Sequence, residues 1–392
     1  MSTENRKTGG SLFTPGNIIA GIILAAGIVV TIMRFTMGLG SVTNLSDNNP
    51  WGIWIGFDLL CGVALAAGGY TTSAACYIFG FKKFHPGVRP AILTAFLGYA
   101  LVVFALHYDV GRPWRLVYPI FYQQGTTSIL FEVGLCVFIY LTVLFLESLP
   151  AALEWKGGFD KYRGILVKLT MGLTILGVIL STLHQSSLGA LYLIAPSKLH
   201  PLWYTPYLPL MFFLSSMFAG LSMVISEGML SHKNFHHMMD AEYNAGYENL
   251  QLAFAKGAAW IMAGYLAMKL LGLAMDNRWH YLFTGYGAWW LFEVIGFVAL
   301  PCYCYAVGYR DRNLRLVRIA GPWTVLGIVL NRFNISLVAF NWQLPSADRY
   351  FPSLGEIIIS VFVVTIGVLA FRFIVTRMPI FFVHPAYKDS SH

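Results

Sequence analysis

Residues 17–37 read NIIAGIILAAGIVVTIMRFTM. A helix crosses the hydrocarbon core of a bilayer with about 20 residues, and this run reaches that length. It is too long for the core of a cleaved signal peptide and lacks an obvious small-residue cleavage site. It is expected to be a retained first transmembrane helix, and the pattern recurs nine more times. Spans are predicted at about 17–38, 53–80, 89–108, 127–148, 164–184, 207–230, 251–274, 287–309, 314–337 and 355–376. Pro and Gly punctuate the connections, as in Asn49-Pro50, His85-Pro86-Gly87, Gly111-Arg112-Pro113 and His200-Pro201. The predicted fold class is all-α: a polytopic membrane protein with ten transmembrane helices over 17–376. Polar tails 1–16 and 377–392 flank it.

Composition agrees. Of 392 residues 57% are hydrophobic and 11% charged, where soluble domains carry roughly 25% charged residues. The net charge of +8 is read as an orienting signal, and no nucleic-acid partner is expected. With the N-terminus inside, the inner segments hold 15 Lys and Arg. The outer loops hold 5: Arg112, Arg115, Lys198, Arg278 and Arg349. That split places both termini in the cytoplasm. The polar stretch 231–250, with His232, His236, His237 and Asp240, is then a solvated inner loop rather than a metal site. The connections 109–126, 185–206 and 338–354 face outward, and their aromatic, Pro-rich sequence suits docking of a partner.

Charge inside a membrane is costly and marks function by default. Asp58, His107, Asp109, Glu132, His184, Glu293 and Arg332 fall in six different spans at similar depth. Asp58, Glu132 and Glu293 lie five or six residues below the outer surface, roughly 8–9 Å deep at 1.5 Å per residue. The string His107-Tyr108-Asp109-Val110-Gly111-Arg112 puts an acid and an arginine three residues apart at a helix end, spaced to pair on one face. Arg112 would then tune the Asp109 carboxyl as a proton carrier. In His184-Gln185-Ser186-Ser187, four polar side chains in a row suit hydrogen bonding to a carbonyl, and the histidine can exchange protons. Asp58, next to Trp54, and Glu132 sit in apolar sequence and must be protonated or paired. Arg332 is a candidate counter-ion.

Five cysteines show no spacing of the iron–sulfur type. Only His107 and His184 are placed in spans as haem ligands, and both are at the outer rim. The chain is therefore expected to hold neither cluster nor haem. A haem b electron carrier and a secondary transporter are the alternatives. A transporter would place its polar residues at the midplane, whereas here they lie near one face.

Phe57-Asp58-Leu59-Leu60, Asp109-Val110-Gly111-Arg112, Phe131-Glu132, His184-Gln185-Ser186-Ser187-Leu188-Gly189 and Ser336-Leu337-Val338-Ala339-Phe340-Asn341 resemble the NrfD/PsrC family of integral membrane subunits. The likeness is strongest to the HybB-type subunit of nickel–iron hydrogenases and its HmcC-type relatives in sulfate reducers. The resemblance implies two four-helix bundles, helices 2–5 and 6–9, flanked by helices 1 and 10. It implies a quinone-binding anchor of a respiratory redox complex in the bacterial inner membrane. Menaquinone or ubiquinone would bind near the face where a ferredoxin-like iron–sulfur subunit docks, with hydrogenase or multihaem cytochrome subunits beyond it. On that reading Asp58, Asp109, Glu132 and His184 exchange protons. His184, Gln185, Ser186, Arg112, Asp58, Trp54 and His107 surround the head group.

Overall fold

The computed structural model describes residues 14–382, so most of both predicted tails lies outside the described residues. Among the described residues ten helices are long and apolar enough to span a membrane. They are α1 Pro15–Met37, α2 Trp54–Ile78, α3 Lys82–Asp109, α4 Ile129–Lys156, α5 Asp160–Ile194, α6 Leu208–Met238, α7 Tyr243–Met275, α8 Gly285–Arg310, α9 Leu314–Val338 and α10 Leu354–Arg377. In hydrocarbon every backbone polar group needs an internal partner, and helices meet that demand within one segment.

The helix starts are written locally. Thr14 caps α1 ahead of Pro15, and Ser128, Asp240, Thr284 and Asn313 cap α4, α7, α8 and α9. Ser353 and Glu356 form a reciprocal capping box on α10. Wider, π-type turns interrupt the regular winding at Trp54–Leu59, Ile295–Ala299 and Asn334–Val338. Each lies at or beside a buried polar residue, the setting in which such turns recur.

Packing is consistent with two bundles. Helices α2, α3, α4 and α5 contact one another in a closed ring, as do α6, α7, α8 and α9, and α1 pairs with α10 against α2 and α3. The rings meet along α2, α5 and α6. There Gly68 and Gly220 let two backbones cross: a Cβ on Gly220 would lie 2.2 Å from Gly68 N.

The two faces differ. One carries short connections, 79–81, 157–159, 239–242 and 311–313. The other carries long ones, 38–53, 110–128, 195–207, 276–284 and 339–353. The long loops are tied together. Leu199 bridges Phe340, His200 N donates to Ala339 O at 2.9 Å, and Asn341 N donates to Lys198 O at 2.7 Å.

Several boundaries differ from expectation: α3 begins at Lys82 rather than near 89, and α4 runs to Lys156 rather than to about 148. Helix α5 runs about ten residues past the predicted end at 184, so His184, Gln185 and Ser186 lie inside it. Helices α6 and α7 consume most of the predicted loop 231–250, leaving 239–242. There His232 stacks on Tyr247 at 4.5 Å and Asp240 caps α7. Among the described residues no group of three His, Cys, Asp or Glu is placed to hold a metal ion.

Candidate functional site

The buried polar residues near the long-loop face form three clusters rather than one. The first is inside the α2–α5 ring. The Ser187 hydroxyl donates to Glu132 Oε1 at 2.8 Å, joining α5 to α4. One turn deeper His184 is fully enclosed. Its Nδ1 bonds to Leu180 O at 2.7 Å. A carbonyl only accepts, so Nδ1 carries the hydrogen, and in the neutral ring Nε2 is an acceptor. The Tyr99 hydroxyl of α3 donates to it. Tyr140 packs edge-on against Tyr99 at 4.7 Å. Gln185 donates through Nε2 to Val63 O at 2.9 Å. The Tyr140 hydroxyl, Ser181 Oγ and Gln185 Oε1 are buried without a well-formed hydrogen bond. Such groups carry a penalty unless a ligand or ordered water completes them. Ser186 is half-buried beside this set.

The second cluster lies outside that ring, where α1 and α10 meet α2 and α3. Asp58 Oδ2 accepts from Ser360 Oγ of α10 at 2.7 Å. The buried Trp54 donates through Nε1 to Glu356 O at 3.1 Å. The Arg34 guanidinium of α1 donates to Tyr108 O at 2.7 Å and Val110 O at 2.9 Å, flanking Asp109. Asp109 Oδ1 is buried with no hydrogen-bond partner. The Glu356 carboxylate accepts from Tyr350 OH at 2.5 Å, Ser353 N at 2.8 Å and Asn44 N at 3.1 Å. Burial first, and then this contact, push the Tyr350 phenol up, so it remains a donor. The expected Asp109–Arg112 pair is absent: Arg112 is exposed, and Arg34 supplies the nearby cation. The half-buried His107 bonds through Nδ1 to Val103 O, its own helix backbone.

The third cluster fills the α6–α9 ring. Glu293 accepts from Asn334 Nδ2 at 2.5 Å, Asn331 Nδ2 at 2.7 Å and Trp203 Nε1 at 2.7 Å, and Lys269 Nζ stands 3.7 Å away. Arg332 does not pair with Asp58 or Glu132. It bonds to Asn331 Oδ1 and Ser215 Oγ and lies 3.9 Å over the Phe212 ring. The first and third clusters are built alike. Glu132 receives Ser187, and three residues earlier His184 meets Tyr99. Glu293 receives Asn334, and three residues earlier Asn331 meets Tyr265 OH at 3.5 Å. Only the third cluster adds a lysine to the carboxylate.

Sequence reasoning missed Arg34, Tyr99, Lys269, Glu356 and Ser360. Arg34 and Lys269 had a signal, a cation within an apolar run. Glu356 had one in the spacing Ser353-Leu354-Gly355-Glu356. A cavity of about 190 Å³ lies elsewhere, toward the short-loop face.

Comparison with known proteins agrees with this architecture. The family model described as polysulphide reductase, NrfD, matches residues 41–341. A protein of Nitratidesulfovibrio vulgaris is 63% identical over 387 residues, covering 99% of this chain and all of its own length. The Escherichia coli protein named "Probable Ni/Fe-hydrogenase 2 b-type cytochrome subunit" is 32% identical, covering 100% of this chain and 98% of its own. The integral membrane subunit of a menaquinone reductase from N. vulgaris is 27% identical, covering 91% and 88%.

Proposed function

The chain belongs to the NrfD family of multi-pass membrane subunits, and on that premise we propose that it is the quinone-reactive anchor of a respiratory redox complex. Electrons pass between an iron–sulfur partner on the long-loop face and menaquinone or ubiquinone in the bilayer. Hydrogenase or multihaem cytochrome subunits complete the path, so the chain alone is not a complete enzyme. The 15-to-5 Lys and Arg split supports a bacterial inner-membrane protein with its long-loop face outward and both termini in the cytoplasm.

One observation carries the reading: a half-buried carboxyl, Glu132, is held by Ser187 one helical turn from a fully enclosed Tyr99–His184 pair inside an apolar ring. Reducing a quinone takes two electrons and two protons. Glu132 offers a carboxyl for proton transfer at the half-buried edge of the ring, and Ser187 fixes its orientation. Behind it, Tyr99 donates toward His184 Nε2, while Gln185 Oε1, Ser181 and Tyr140 offer unfilled hydrogen-bonding capacity to a head group. Asp58 and Asp109 face α1 and α10, so their part is proton exchange toward the aqueous face, with Arg34 in the role expected of Arg112. We read the chain as haem-free. An axial pair from His184 and His107 is not prepared here, since both His184 ring nitrogens are engaged.

The test is paired assays on the intact complex, one quinone-linked and one using a dye at the partner subunits. Glu132→Gln and His184→Ala are expected to cut quinone turnover at least about tenfold, the lower range of general acid–base effects, with dye activity retained. Wild-type quinone turnover in both variants overturns the assignment.

A further inference from the structure

The short-loop side carries a cleft apart from the three polar clusters. Its volume is about 190 Å³, and it opens between α3, α4 and α10. Its walls are mostly apolar, with Ile92, Phe96, Phe145 and Ile374 among them. Phe145 is 48% exposed, so the cleft lies at the lipid-facing surface. Arg89 lines its end toward the short-loop face, with 36% of its side chain exposed. The guanidinium is held in place: Nη1 donates to Glu154 and to Pro379 O, both at 2.9 Å, and Nη2 donates to Glu154 at 3.0 Å. Arg163 donates to the same enclosed carboxylate at 2.8 Å. Glu147, seven residues before Glu154 and about 10 Å deeper, also lines the cleft, and its Oε1 accepts from Thr174.

Charge gathers at the same face. Each of the three lining helices has exposed cations at its short-loop end: Lys82 and Lys83 on α3, Lys156 on α4 and Arg377 on α10. An apolar slot beneath a fixed guanidinium and a basic rim is complementary to one class of membrane component. We propose that the cleft holds an acyl chain of an anionic phospholipid, with its phosphate against Arg89 and the basic helix ends. Basic pockets between helices on the side that Lys and Arg counting assigns to the cytoplasm bind such head groups. The bound lipid adds to the Arg89–Pro379 contact in holding the end of α10 to the first ring.

The experiment is native mass spectrometry of the purified full-length protein, delipidated and incubated with phosphatidylglycerol or phosphatidylethanolamine of identical chains. The expected result is one phosphatidylglycerol per protein, retained at least fivefold over phosphatidylethanolamine. Ala152→Phe, which fills the cleft wall, should lower that retention at least fivefold. The double variant Lys156→Gln/Arg377→Gln leaves the Arg89–Glu154–Arg163 group intact and should bring the preference for the anionic lipid close to parity. Equal retention of both lipids by the wild type overturns the proposal. So does wild-type retention by Ala152→Phe, or stoichiometric quinone that Ala152→Phe displaces while phosphatidylglycerol stays.

Discussion

Arg34 reaches out of α1 to the carbonyl oxygen of Tyr108 on α3, 2.7 Å from its Nε. A guanidinium in the first apolar span thus ends at the last turn of the third. It brings one positive charge beside Asp109, with Asp58 and Glu356 within electrostatic reach. Removing the guanidinium takes away two hydrogen bonds made by a charged donor, each worth about 1.5–3 kcal/mol. Arg34→Leu is therefore expected to lower the detergent melting temperature more than any single carboxylate change in this cluster. Asp109→Asn in the Arg34→Leu background should restore part of the loss, and a double-mutant cycle on melting temperature measures that coupling. Strict additivity would show that the two residues do not act together.

Tyr99→Phe tests the pair at the centre of the first ring. It deletes the donor to His184 Nε2 and leaves that acceptor buried, at a cost of about 1–3 kcal/mol. Quinone turnover should fall while dye-linked activity persists, and the acid limb of the quinone rate profile should move. A lowered melting temperature with an unchanged pH profile would mean that Tyr99 serves packing alone.

The third cluster predicts a different outcome. Glu293 is enclosed by donors and faces Lys269, so it has no edge open to lipid. Lys269→Met and Glu293→Gln should each destabilise strongly, and the pair together should cost less than their sum. The Michaelis constant for quinone should not change in whichever single variant assembles. A tenfold rise would place quinone in the second ring.

His200 gives the long-loop face a pH dependence. It is enclosed by Trp203, Tyr281, Tyr286 and Trp342, and its Nδ1 accepts from Leu202 N at 3.2 Å. Burial, and then the charge of Arg278, push its pKa down from 6.5 to about 4. The unfolded chain takes up the proton first as pH falls. Stability at this site is full above about 6.5 and is lost progressively down to about 4. Melting temperature should fall between pH 7 and pH 5, and His200→Asn, which keeps an acceptor near the Leu202 amide, should flatten that part of the curve. An identical slope in the variant would assign the effect elsewhere.

The ten spans were legible because length and apolarity are sufficient signals for a membrane helix. The end of α5 was not. Polar residues 184–187 look like a helix running into water, yet a ring interior can bury His184 and Gln185 and let the helix continue to Ile194. Counting residues places Asp58, Glu132 and Glu293 near the long-loop ends of their helices, though they lie 4, 3 and 8 residues past the helix starts rather than at one level. Azimuth was not legible. Asp58 turns toward Ser360 and away from His184, and nothing in one helix tells which neighbour its polar face will meet. For the same reason the sequence points to Arg112, close to Asp109, and gives no sign that Arg34, 75 positions away, stands beside it.

Connections of three or four residues on one face make α2 with α3, α4 with α5, α6 with α7 and α8 with α9 into four tight hairpins. The α4–α5 turn needs Gly157 and Gly158 at φ of +70° and +77°, where a side chain would be strained. Helices so closely tethered enter a bilayer as pairs, because one partner cannot be released far from the other. Among the described helices, insertion is then expected to proceed by these four pairs, with α1 before them and α10 after them. Arg34, alone in its span when α1 enters, finds its carbonyl partners only once the hairpin that carries α3 has followed.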